Sequence, residues 1–114
     1  MKFKVNEVET FDIVPGYHAR MIHTENMTLA YVDVDEGAML PEHAHVHEQV
    51  LNLLEGEFEL VLGKSVLSLQ AGQVVVIPSN VPHSGRAITK CRILDVFHPV
   101  REDFRSRNIA YAPR

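Results

Sequence analysis

The chain is built from short apolar runs, each cut by Gly, Pro or Asn after about eight to twelve residues. Within the runs the period is two. In "EFELVL", Phe58 and Leu60 alternate with Glu57 and Glu59, as expected of a strand with one face in a core and the other in water. The pattern predicts strands over 17–23, 28–34, 43–45, 50–55, 57–62, 65–70, 74–78, 83–87 and 92–98. Between them "HTENM", "DEGAMLPE", "EGE", "LGKS", "QAGQ" and "PSNVP" carry turn chemistry. Gly56 in "EGE" and Gly63 in "LGKS" each predict a tight turn between antiparallel neighbours. Helical character is confined to "PVREDFRSRN", and there to a turn or two. About nine strands in so short a chain must close or nearly close on themselves to hide their edges, which predicts an all-β antiparallel barrel or jelly roll.

Composition narrows the function classes. A chain of 114 residues accommodates one core, so a single domain over 1–114 is expected. The net charge of -4, with Lys and Arg scattered, argues against nucleic acid as a partner, because phosphate binding needs a clustered basic face. Cys91 is the sole cysteine; it forms no internal disulfide or CxxC motif and is expected to be an ordinary buried thiol. No run approaches membrane-spanning length, and the N-terminus lacks the continuous apolar core of a secretory signal, so the expected compartment is the cytoplasm.

The segment "PEHAHVHEQV" then draws attention. On a strand, residues two apart share a face, so His43 and His45 project together and form a two-toothed metal clamp. A solvated polar stripe is the plain alternative, and convergent ligands from elsewhere are needed to set it aside. His47 shares their parity, but the chain must turn nearby, so a supporting or rim position is expected for it. His18, His23 and His98 are expected at the surface or in ordinary hydrogen bonds. On the last predicted strand, "CRILDVFHPVREDF" puts Asp95 and Phe97 on the face of Ile93. A core-facing carboxylate is costly unless paired or used, and a structural Asp95–Arg101 salt bridge is the simplest account.

The spacing resembles that of the cupins. The first cupin motif places a glycine, HxH, a glutamate and a glycine at intervals matched by Gly37, His43, His45, Gln49 and Gly56, with glutamine for glutamate. The second is matched by Gly72, Pro78 and His83, with Asn80 in the place of a glycine and Ala87 in that of an asparagine. Asn is the non-glycine residue that best tolerates the left-handed backbone, so the first change is mild. Motif 1 then spans 37–56 and motif 2 spans 72–87. The resemblance implies a cupin β-barrel holding one divalent metal ion (Ni, Zn, Fe or Mn) on His43, His45, Gln49 and His83. A neutral amide in place of the carboxylate leaves the ion its full charge, which suits Lewis-acid work on an oxygen-rich substrate better than iron-oxygenase chemistry. Glu48 is the second choice for the fourth ligand, its parity being opposite. The family also implies a homodimer, with 1–16 as an N-terminal strand region able to serve as a dimer arm.

Within the cupins, "VVIPSNVPHSG" followed by "LDVFHPVREDF" resembles the KdgF-type branch of pectin degradation, whose DxFxxxR arrangement is filled by Asp95, Phe97 and Arg101. The implied activity is conversion of 4,5-unsaturated monouronates to the open-chain ketouronate. Asp95 would be the general acid/base, Arg101 the fork for the substrate carboxylate and Phe97 the surface against the sugar. Arg20 and Tyr31 are candidate additional pocket residues. Two other functions fit a metal cupin: an oxygenase or sugar isomerase, and a non-catalytic barrel that binds a sugar or effector.

Overall fold

The computed structural model describes residues 1–107. Ten strands follow a 3-10 turn at Val5–Glu7: β1 (Thr10–Asp12), β2 (Tyr17–His23), β3 (Thr28–Val34), β4 (Met39–His43), β5 (Glu48–Glu55), β6 (Glu57–Leu62), β7 (Ser65–Gln70), β8 (Val74–Ile77), β9 (His83–Ala87) and β10 (Cys91–His98). A single short helix, α1 (Glu102–Ser106), closes the described chain. All strand pairs are antiparallel. They form a six-stranded sheet, β1-β2-β3-β10-β5-β8, facing a four-stranded sheet, β4-β9-β6-β7. This is the all-β antiparallel jelly roll that the alternating pattern predicts.

Period-two burial holds along the central strands. β3 alternates between buried Thr28, Ala30, Val32 and Val34 and half-buried Leu29, Tyr31 and Asp33. The inward residues of both sheets, among them Val34, Leu53, Leu60, Ile77 and Ile93, form one apolar core. Burying a side chain such as Leu53, 1% exposed, stabilises the fold by about 2 kcal/mol.

Three features depart from the expected pattern. The chain around Gly56 does not fold back on its neighbour: β5 pairs with β10 and β8, whereas β6 pairs with β7 and β9. Gly56, at φ 93°, carries the chain from one sheet to the other, and a Cβ there would stand 2.3 Å from the Lys90 carbonyl oxygen. The Gly63 turn is the expected hairpin, joining Leu62 to its partner Ser65.

Second, the HxH segment is not itself a strand. β4 begins at Met39, inside the stretch expected to be a turn, and ends at His43; His45 lies beyond it. Pro41, within the "DEGAMLPE" stretch of turn chemistry, lies on β4, an edge strand, where a missing N–H is tolerated. Third, the N-terminal region is strand only over β1, which pairs with β2, and Phe3 is exposed.

Candidate metal centre

His43 and His83, forty positions apart in the chain, are direct cross-strand partners where β4 meets β9. Between Leu40, which pairs with Gly85, and His43 the register shifts by a bulge. Without that extra residue, two positions three apart would face opposite sides; the bulge turns both Leu40 and His43 toward the interior, where they line one cavity. The ring centroids of His43 and His83 are 4.2 Å apart, and that of His45 lies 5.7 and 5.0 Å from them. One ligand atom from each of the three rings falls within 4.8 Å of the others, a cluster that could hold a metal ion.

Each ring is held by its far side. Nδ1 lies 2.7 Å from the Pro41 carbonyl oxygen in His43, 3.0 Å from that of His47 in His45, and 2.8 Å from that of Val81 in His83. A carbonyl only accepts, so each Nδ1 carries the proton and Nε2 presents its lone pair, the arrangement in which an imidazole coordinates a metal. The Nε2 of His83 is buried and has no hydrogen-bonding partner among the described residues. The loop of the second motif reinforces the first: Asn80, at φ 63°, donates its backbone N–H to the His45 carbonyl oxygen at 2.8 Å. Burial pushes His43 and His45 down to about 4 and lowers His83 as well, so all three stand neutral at pH 7.

Gln49, buried on β5, faces the cluster from the opposite sheet, its Oε1 3.1 Å from His45 Nε2. With both atoms offering lone pairs, that spacing matches neighbouring ligands on a cation bound at ~2.1 Å, which lie roughly 3.0 to 3.4 Å apart. The amide is oriented by its other end, where Nε2 donates to Asp95 Oδ1 at 2.8 Å. Glu48 is exposed, as its parity predicts. The residues present therefore fit a divalent cation: three neutral imidazoles and a nearby amide oxygen, with supporting bonds already made.

Asp95 sits on the inner face of β10 between Ile93 and Phe97. Burial pushes its carboxyl up to about 7, against the opposing pull of the Gln49 hydrogen bond and the Arg101 charge. The expected Asp95–Arg101 salt bridge is not what the structure contains. Arg101 instead grips Asp103 through Nε at 2.9 Å and Nη2 at 2.6 Å, because Asp103 lies in the first turn of α1 directly beside it. Its backbone N–H is anchored on Thr28 Oγ1 at 2.9 Å, and its guanidinium lies 3.8 Å from the Phe104 ring centroid and 4.8 Å from that of Phe97. Phe97 in turn meets His45 edge-on, with centroids 5.6 Å apart. His43, Gln49, Asp95, Phe97 and Arg101 thus share one cavity, and His45 and His83 stand against it.

The remaining expectations divide. His47 supplies the carbonyl that holds His45 and packs its ring 5.6 Å from that neighbour. His18 bridges Asp12 and Asp35, His23 bonds Thr28, and His98 is exposed. Cys91 is a buried free thiol. Arg20 and Tyr31 do not line this cavity: they pair with each other on the outer face of the six-stranded sheet, with Arg20 3.9 Å from Asp33, and line a separate hollow there with Arg92. The residue overlooked is Tyr17, which shares the inward parity of Ala19 and Met21 and lines the cavity with Asp95. That parity was legible from the apolar neighbours.

Comparison with known proteins agrees with this geometry. KdgF from Halomonas sp. superimposes with a TM-score of 0.85 at 28% identity, covering 91% of this chain and 97% of that one. An RmlC-like cupin from Shewanella frigidimarina superimposes with a TM-score of 0.84 at 31% identity, over 91% of this chain and 94% of that one. An uncharacterized protein of Streptomyces coelicolor is 24% identical over 99 residues, 85% of this chain and 94% of its own length. Residues 30–97, more than half of the chain, match the cupin domain family. By that match and by the two facing sheets around a histidine cluster, the chain belongs to the cupin family.

Proposed function

We propose that this protein is a metal-dependent, non-redox cupin enzyme that converts 4,5-unsaturated monouronates to the open-chain ketouronate. The observation that carries the reading is the Gln49 amide. One end faces the histidine cluster and the other holds Asp95, so a carboxyl that titrates near neutrality is coupled directly to the metal centre. The likeness to KdgF supports it.

The ligands are His43, His45, Gln49 and His83. A divalent cation there supplies Lewis acidity toward a substrate oxygen. The chain's own groups handle the protons. The reaction is an isomerisation: Asp95 takes the proton of the anomeric hydroxyl, that oxygen's electrons form the C1 carbonyl, and the bond from C1 to the ring oxygen breaks with its pair passing to the ring oxygen. The enolate so formed takes a proton from Asp95 at C4, leaving a ketone at C5 and consuming no water. A carboxyl shifted to about 7 is suited to both transfers. Arg101, kept in place by Asp103 and Thr28, sets a positive charge for the substrate carboxylate, and Phe97 packs against the sugar.

The test is spectroscopic. Metal-loaded protein should bleach the conjugated ultraviolet absorbance of lyase-generated unsaturated monouronates well above the buffer rate, without consuming oxygen. Asp95→Asn should stop the bleaching while the metal stays bound. Bleaching no faster than buffer, or an active Asp95→Asn, refutes the assignment; oxygen uptake would point to an oxygenase instead. The exposed Phe3, 54% accessible, supports a second copy covering the N-terminal arm. Light scattering on the full chain and on a version lacking residues 1–8 tests that.

A further inference from the structure

The cavity that His43, Gln49, Asp95, Phe97 and Arg101 share has a volume of about 30 Å³. A single water needs roughly 10 to 15 Å³ of such space, so the cavity takes one or two non-hydrogen atoms and not a sugar ring. Its walls are mostly apolar, with Ile13, Val32, Leu40 and Ile93 among them. Its polar lining is His43, Gln49, Asp95 and Arg101, which the proposed site already uses, and Tyr17 from β2, which it does not. The Tyr17 side chain is 4% exposed, and its hydroxyl makes no hydrogen bond to any described residue. Burial, and then the nearby Asp95 charge, raise its pKa, so the phenol keeps its proton and stands as a donor. Of the Asp95 oxygens, Oδ1 accepts from Gln49, and no hydrogen bond to Oδ2 is formed by the described residues.

We infer that Tyr17 and Asp95 form a dead-end subsite for one hydroxyl group of the ligand, and that this group is the free anomeric hydroxyl of a monomeric sugar acid. The inference rests on the proposed reaction, in which Asp95 acts on that hydroxyl. A hydroxyl placed there donates to the carboxylate and accepts from the Tyr17 O–H. As the C1 carbonyl forms, its oxygen keeps the Tyr17 hydrogen bond, so Tyr17 touches the reacting atom. The sugar ring itself stays at the mouth, beside the partly exposed His43 and His45 and the Phe97 ring that meets His45 edge-on, with its carboxylate turned toward the Arg101 charge. A glycosidic substituent on the anomeric oxygen has no room between Ile13, Val32 and Ile93, so the site selects free monouronates against the ends of oligouronides.

Tyr17→Phe removes the donor and keeps the ring. Because the lost hydroxyl has no partner among the described residues, the variant should hold its Tm and its metal. Its kcat on unsaturated monouronate should fall at least tenfold. By calorimetry, metal-loaded wild type should bind galacturonate at least tenfold more tightly than methyl galacturonoside, and Tyr17→Phe should lose most of that preference. If the wild type does not turn over the unsaturated uronate but shows the Tyr17-dependent preference, the reaction is wrong and the subsite stands. If the wild type is active while Tyr17→Phe matches it in kcat and in preference, the subsite is wrong and the reaction stands. Failure of the metal-loaded wild type to bind either sugar overturns the subsite, while the reaction stands or falls with the bleaching of the unsaturated monouronate.

Discussion

Replacing Asp95 by Asn tests the desolvation on which its proposed chemistry depends. Asn keeps the shape and the acceptor for Gln49 Nε2, now 2.8 Å from Asp95 Oδ1, and removes the charge. Burial holds the folded carboxyl near 7, against an ordinary 3.8, so the folded state binds the proton more tightly than the unfolded chain does. Stability from this group is therefore greatest below about pH 4 and declines as pH rises toward 7, where the carboxylate must ionise inside the protein. At ~1.4 kcal/mol per decade of proton affinity, the cost levels off at about 4 kcal/mol. Urea unfolding of chelator-treated wild type and Asp95→Asn measures it. The histidines titrate in both proteins and cancel in the difference. The variant should match the wild type near pH 4, exceed it by under about 2 kcal/mol at pH 5, and exceed it by about 4 kcal/mol at pH 8. A difference below ~1 kcal/mol at pH 8, or one equal at pH 5 and 8, refutes the argument that the barrel wall desolvates Asp95.

The other predictions follow from the same geometry. His83→Ala removes the proposed ligand that pairs with His43 across the sheet; elemental analysis should find the metal gone, and full retention would overturn the site. Because His43 and His45 titrate near 4, protons compete with metal only in strong acid. In Asp95→Asn, where no carboxyl titrates beside Gln49, zinc affinity followed with a competing dye should hold between pH 7.5 and 5.5, and a loss beyond tenfold contradicts the burial of the rings. Gly56→Ala combines a left-handed backbone with a Cβ 2.3 Å from the Lys90 carbonyl oxygen and 2.8 Å from Cys91 Sγ. Denaturant titration should show a loss of at least ~2 kcal/mol, well above an ordinary surface change.

Some of this site was legible before any fold was known. Period-two alternation is a local signal, and it located the cores of β2, β3, β6, β7 and β10 and the inward parity of Asp95 and Phe97. It erred where an edge strand carried Pro41, and at Gly56, where a turn residue signals a change of direction without naming the sheet that the chain enters. Arg20 and Tyr31 drew attention by their chemistry, although the parity of Ala19 and Met21 assigns them to the outer face and Tyr17 to the inner one.

What the chain determines alone is which residues share a face, because side-chain direction alternates with each peptide unit. The choice of ligand types and the tolerance of Asn80 for its turn are likewise written locally. Tertiary structure decided the rest: the bulge in β4 that swings His43 inward, the pairing of β4 with β9 that sets it against His83, and the contact of Arg101 with Asp103. Those outcomes depend on register and sheet order, which are settled by burial of the whole core and not by any one segment.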